Sequence, residues 1–572
     1  MLNIKLSVIK PAILFLLLMG FADALQAQDR YKPQASHPLS ARTALDVLPA
    51  TGTVNVVAVM VEFQPDTNRF TTGNGTFDEG ALPFLQSRPD FRIEPLPHNR
   101  AYFEAHLAFL RNYFDRVSGG QLNINYQVLP QIYRLDNEMA AYSPTGVEFN
   151  PEPVANFVSD VWAKVESEGG FNTAGLDPDR TAFVIFHAGV GRDIELTGTL
   201  LTRTPQDLPS LTFDQDALAE LLDDNAFSGF PINNGAFQIT NSLIIPRTES
   251  RPGEDVAGDE FVIPLSINGL LTASVGSFLG LPDLFNTNDG RPGIGRFGLM
   301  DGAGFFSYNG LFPPEPSAWE KQRLGWISPV EISPNQTASL PAGSLHQPGS
   351  VARISLSEDE YFLVENRHRD TQGNGVTITI RKADGSLVTQ NFSNNDEAFV
   401  FQEADFDTLL EAGVLVDVSN FDWSLPGGLD RGEDEEIGGD DDRFLNGGIL
   451  IWHVDEAVIR KGLEDQRVNA NPDRRGIDLE EADGAQDIGR PTNSFFSNEE
   501  EFGTPFDFWW SGNDSRVILQ TGEILLYPGE FSPESNPPNN SNSGAKSFFR
   551  LLDFSDNLPT ATFRIEEVIP ED

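Results

Sequence analysis

The chain contains no cysteine. No disulfide staples it, no thiolate holds a metal, and no cysteine serves as a nucleophile, so stability rests on core burial and on any ions that bind. Basic residues are few. Lysine and arginine number 39 against 85 aspartates and glutamates, the formal charge is −46, and only eight of the cations are lysine. The charged fraction is an ordinary 22%, so the imbalance comes from missing bases more than from added acids. Such a field argues against nucleic acid and anionic membrane surfaces as partners. It suits calcium binding or a high-salt habitat, and the balance leans toward general acidity because the deficit is spread over the whole chain. Long apolar runs are confined to the start. Lys5 and Lys10, an apolar stretch over residues 13–21 and Leu25-Gln26-Ala27 read as a secretory signal cleaved near Ala27. No later run is long enough to span a bilayer. The expectation is a secreted protein, extracellular or periplasmic, without membrane insertion. Histidine is scarce as well: there are seven, no two are four apart, and none precedes glutamate. A helix-borne H-E-x-x-H zinc site is thereby excluded.

What is present reads first as alternating strand and helix. VNVVAVMVEF, residues 54–63, is apolar at nearly every position, as a strand buried on both faces must be. Phe103, Leu107, Leu110, Phe114 and Val117 recur at helical spacing, and Gly119-Gly120 ends that helix. Leu122, Ile124, Tyr126 and Val128 alternate, which predicts a strand able to pair with the first. A second helix is expected over residues 154–167, and buried strands over 182–186 and 241–245. The pattern implies an α/β (α+β) domain with a mixed twisted sheet.

The chain is organised around residues 269–300, GLLTASVGSFLGLPDLFNTNDGRPGIGRFGLM. Residues 270–279 form a central helix that must stop at Gly280-Leu281-Pro282-Asp283, because proline cannot continue it. Ala273, Ser274 and Ser277 share one face of that helix at i, i+1 and i+4. The stretch resembles the active-site region of the secreted metallopeptidases of the immune inhibitor A type, which read approximately G-V-x-A-H-E-x-G-H-x-L-G-L-P-D-L-Y. Gly269, Gly276, Leu279, Gly280, Leu281, Pro282, Asp283 and Leu284 fall in register. The chemical positions do not: Ala273 and Ser277 replace the two histidines and Ser274 the glutamate. Of the ligands the resemblance implies, only Asp283 remains, and one carboxylate cannot hold zinc where three protein ligands are needed. GRFGLMDGAGF, residues 295–305, is similar to the family's methionine turn, with Met300 flooring the site. FVIFHAGVGRD, HLAFLRNYFDRVSGGQLNI, YFLVENR, GGILIWHVDE and RRGIDLEEADG also resemble segments of that family, from about residue 50 to residue 567. The resemblance implies a peptidase domain whose reactive centre has been removed: no catalytic residue, no zinc, and a cleft left to bind protein or peptide. A working peptidase with a different ligand set is one alternative. A calcium-stabilised surface or matrix module is another.

The organisation expected is a signal over residues 1–27, a linker over 28–50, the peptidase-like domain over 51–329 and a β-rich C-terminal domain over 330–572. In the last, strands are expected at 361–366, 376–380 and 387–392, the final two joined by the hairpin signal Ala383-Asp384-Gly385. Two stretches invite calcium. The acidic run over 430–442 reads as solvated surface. Asn469, Asn471, Asp473 and Glu480 take positions 1, 3, 5 and 12 of a twelve-residue loop, although Arg474 stands where glycine is needed and Pro472 stiffens the turn. His187 reads as a structural histidine, Ser274 and Ser277 as helix serines bonded to their own backbone, and Phe508-Trp509-Trp510 as core.

Overall fold

A computed structural model describes residues 33–41, 50–88, 91–144, 149–196, 200–201, 204–254, 260–393, 410–430, 443–490, 500–519 and 521–568. The signal, most of the linker and most of the acidic run lie outside them.

After a short strand β1 (Pro33–Ala35), the main elements run β2 (Gly52–Glu62), α1 (Arg100–Val117), β3 (Leu122–Arg134), α2 (Glu152–Ser167), β4 (Thr181–Val190), β5 (Ile194–Leu196), β6 (Thr212–Phe213), β7 (Ser242–Thr248) and the central helix α3 (Asn268–Phe278). One sheet has the order β3-β2-β4-β7-β6. Its first four strands are parallel and β6 is antiparallel, so the sheet is mixed. The continuous apolar run of β2 has a direct cause. Val54, Val56, Ala58 and Met60 enter the core that contains α1 and α3, while Val57, Val59 and Val61 enter the core that contains α2. Strand period two with both faces covered leaves no polar side.

Helix α1 begins where the Asn99 side chain accepts from the amides of Ala101 and Tyr102. It stops at Gly119 and Gly120, both at positive φ. Helix α3 is placed by buried polar bonds. Glu94 accepts the Ile267 amide at 3.2 Å, and His106 Nδ1 meets Asn268 Oδ1 at 2.7 Å. The closeness of its packing explains two glycines. A Cβ on Gly269 lands on the Phe305 carbonyl, and one on Gly276 comes within 2.9 Å of Met300 Sδ.

Beyond helix α4 (Ala318–Arg323) the chain is β-rich. Strands β8 (Val330–Glu331), β9 (Val351–Ser355), β10 (Glu360–His368), β14 (Gly447–Asp455) and β15 (Ile477–Leu479) make a second five-stranded sheet in that order. A three-stranded sheet places β11 (Val376–Arg381) between β12 (Leu387–Phe392) and β13 (Val414–Val418). Strands β11 and β12 form the expected hairpin. The largest apolar cluster includes residues on both sides of 329/330, among them Phe114 and Trp326 with Phe421 and Trp452. Phe508, Trp509 and Trp510 are buried. Among the described residues, no sheet closes into a barrel and no helix is long and apolar enough to cross a membrane.

Candidate functional site

Helix α3 ends as its sequence demands. Leu279 is its C-cap, Gly280 turns at φ +94°, and the amides of Gly280 and Leu281 return to the carbonyls of Ser277 and Gly276. Pro282 then carries the chain out of the helical direction and Asp283 follows. Ala273 and Ser274 are buried and Ser277 is half-buried. Ser277 Oγ bonds back to the Ala273 carbonyl at 3.4 Å, whereas Ser274 Oγ meets no protein partner. Met300 is buried against Gly276. Its turn is fixed by Glu320, which accepts the amides of Met300 at 2.8 Å and Leu299 at 3.3 Å, and the Met300 carbonyl accepts from Leu284 at 2.9 Å.

Residues 33–41, part of the stretch expected to be linker, form a strap over this region. Its strand β1 pairs antiparallel with β5. The Leu39 amide donates to Asp283 Oδ2 at 3.0 Å, and the Ser40 backbone bonds the same carboxyl. The Leu39 carbonyl accepts from Thr212, whose hydroxyl bonds the Ser274 carbonyl at 3.3 Å. Leu39 itself is buried. Burial raises Asp283 to about 7, against the opposing pull of the Leu39 amide and the His37 charge. Its second oxygen, Oδ1, has no protein partner.

His37 anchors the strap to a buried acid pair. Its Nε2 lies 2.8 Å from Asp193 Oδ1, and Asp193 also accepts the Ser210 amide and hydroxyl. Burial pushes Asp193 up, but the His37 bond and charge, with the bonds from Glu249 and the Ser210 amide, together outweigh it and hold Asp193 well below the usual carboxylate range. Glu249 is fully buried, with Arg251 at 3.6 Å as its ion-pair partner, and burial with the Asp193 charge pushes it well above its ordinary value against the pull of Arg251. A single proton shared between two carboxyls accounts for both directions. The site of a Cβ on Gly191 is taken by Glu249 Oε1, with Asp193 Oδ2 at 2.7 Å, so only glycine fits there. The sequence gives no local signal for His37, Asp193 and Glu249, because their spacing in the chain is arbitrary and topology alone brings them together.

No protein-family model and no curated protein matches this chain. Solved structures offer a faint likeness. Wild type OgpA from Akkermansia muciniphila, in two crystal forms, is 11% and 12% identical over 62% of this chain and 82% and 83% of that chain, with TM-scores of 0.19 and 0.18. At that level neither fold nor chemistry is carried across.

The expected calcium loop is distributed among separate partners. Asn469 Oδ1 accepts the amides of Gly476 and Ile477, and its Nδ2 donates to the Leu284 and Ile477 carbonyls. Asn471 caps the Asp473 amide, Asp473 pairs with Arg490 at 3.0 Å, and Glu480 meets His453 at 3.1 Å. Three other carboxylates do converge. Ligand oxygens of Glu481, Asp483 and Asp507, all buried, lie within 4.8 Å of one another. An all-oxygen set suits a hard cation such as calcium rather than zinc. Only the first two stand in the ADG-containing stretch that the sequence singles out, and Asp507 arrives from a distant loop. His187 is buried, accepts the Gly189 amide at 3.2 Å and is driven down to about 3 by burial, so it is neutral.

Proposed function

We propose that this is a secreted, catalytically inactive relative of the immune inhibitor A-type metallopeptidases, and that the cleft beside α3 holds an extended peptide segment without cutting it. The observation carrying this reading is the strap. A stretch of chain that bends at Leu39 and bridges to Thr212 at Ser40 lies against Asp283, Thr212 and α3, donating a backbone amide to the one carboxylate that remains of the implied ligand set. The substituted positions Ala273, Ser274 and Ser277 supply no imidazole and no general base. A strand held through backbone bonds is the mode by which sheet edges and clefts take peptides generally, which makes a protein or peptide ligand the expected partner.

Metal content and proteolysis test the reading together. Purified mature protein is expected to contain no stoichiometric zinc and to leave denatured protein substrates intact. Stoichiometric zinc that chelation removes together with proteolytic activity would show instead a working peptidase with another ligand set. The second reading, a calcium-stabilised module, draws support from the carboxylates of Glu481, Asp483 and Asp507.

A further inference from the structure

A second cleft lies where the end of α1 and the start of β3 meet the loop after α4 and the approach to β9. Its volume is about 440 Å³. Val117, Trp326, Ile327 and Val351 give it apolar wall, and Glu365 of β10 and Lys321 of α4 reach it from below. Glu365 is only 1% exposed. One of its oxygens, Oε1, accepts from Trp452 Nε1 at 2.8 Å and from the Ala318 amide at 3.2 Å. The other, Oε2, is buried and meets no protein donor. A buried carboxylate oxygen left bare is costly, so it marks a place that a donor from outside the chain fits.

The surrounding charges say what kind of donor. Lys321 is committed to Glu315 at 2.5 Å, and Arg367 to Asp422. Arg367 also stands 3.5 Å from Glu365 Oε1. Glu365 therefore shares Arg367 with Asp422 instead of having a cation of its own, and Arg367 stands on the Oε1 side, so the charge at Oε2 meets no protein cation. A neutral polyol leaves that charge uncompensated. A guanidinium seeks both oxygens of a carboxylate at once, and Oε1 is already occupied. A divalent cation needs several oxygens, and only one is free here. A primary ammonium is a compact charge with rotatable donors that needs a single acceptor, and its alkyl stem packs on apolar wall.

We propose that this cleft binds a primary alkylammonium group, its nitrogen on Glu365 Oε2 and its methylenes between Val117, Trp326 and Val351. The source is either a free alkylamine or the end of a lysine side chain in another polypeptide. The overall charge of −46 draws either one in.

The experiment titrates the full-length mature protein with pentylamine, pentanol, and a short peptide carrying lysine or its Nε-acetylated form, following tryptophan fluorescence and calorimetry. Saturable binding of pentylamine is expected, with pentanol at least tenfold weaker. Glu365→Gln, which keeps an acceptor for Trp452, is expected to lose at least tenfold in amine affinity. Because that change touches a buried network, Val330→Trp serves as a second variant: Val330 is 49% exposed at the cleft rim, and the indole there is expected to block entry without unfolding the chain. Tighter binding of the lysine peptide than of pentylamine, abolished by acetylation, assigns the site to a polypeptide; the reverse order assigns it to free amines. Equal binding of pentanol, undiminished amine binding in Glu365→Gln, or no saturable binding at millimolar amine with water alone on Glu365, each overturns the proposal.

Discussion

At the scale of single residues, the clearest titrating group is His453. Its Nε2 lies 2.9 Å from Glu360 and its Nδ1 3.1 Å from Glu480, both nitrogens donating when the ring is charged. Burial depresses it, but the two carboxylates outweigh burial and raise it from 6.5 to about 9. A base whose folded value is raised stabilises the fold fully below its unfolded value, and that contribution disappears as pH climbs through the folded value. Stability from this clamp is therefore complete below about pH 6.5 and lost by about pH 9. His453→Gln is expected to be less stable than the parent at pH 6, on the order of a few kcal/mol, with the gap shrinking toward pH 9. Urea midpoints across that range measure it, and a pH-independent gap would mean that the pair contributes through packing alone. The residue scale is also where the sequence was most informative about α3. Pro282, Gly280 and the apolar register predicted where it ends and what it buries. Nothing in the local sequence indicated that Glu480 meets a histidine, because His453 and Glu480 are brought together only through the pairing of β14 with β15.

At the scale of elements, the strap is the test. Leu39→Pro deletes the amide that reaches Asp283 while leaving an apolar side chain, and Leu39→Ala keeps the amide but removes buried surface. Loss of a donor to a buried carboxyl costs about 1–3 kcal/mol; truncating a buried leucine costs about 2–5 kcal/mol. Both variants are expected to unfold at lower urea, and Leu39→Pro is expected to lose hydrogen-exchange protection at Thr212 and Ala41, whose amides depend on the seated strap. Retained protection in Leu39→Pro would show that the strap is held from β1 alone. Strands β2, β3 and β4 and helices α1 and α2 were legible because each carries its apolar pattern over ten or more residues, whereas the two-residue β6 has no pattern to read. Residues 33–41 read as linker because a strap seated by backbone bonds has no periodicity to read.

At the scale of the whole molecule, the question is whether the acidity is specific. Asp473 is largely exposed beside Arg490, with its side chain 80% accessible, while Asp507 is buried among carboxylates. Any calcium dependence of the unfolding temperature is expected to vanish in Asp507→Asn and to persist in Asp473→Ala. General screening predicts instead that added salt of any kind stabilises both variants and the parent alike. An unfolding temperature that chelator lowers in the parent and in Asp507→Asn but not in Asp473→Ala would assign the ion to the twelve-residue loop instead. By itself the sequence determined the alternation of elements, the end of α3, the absence of histidine and glutamate from its face, and the charge, since each follows from residue type and short-range spacing. Tertiary structure alone decided that the strap meets Asp283, that Asp193 and Glu249 share a site, that the converging carboxylates are Glu481, Asp483 and Asp507, and that Glu365 keeps one oxygen free. Those meetings join residues that are mostly tens to hundreds of positions apart, where only chain topology and packing bring side chains into contact.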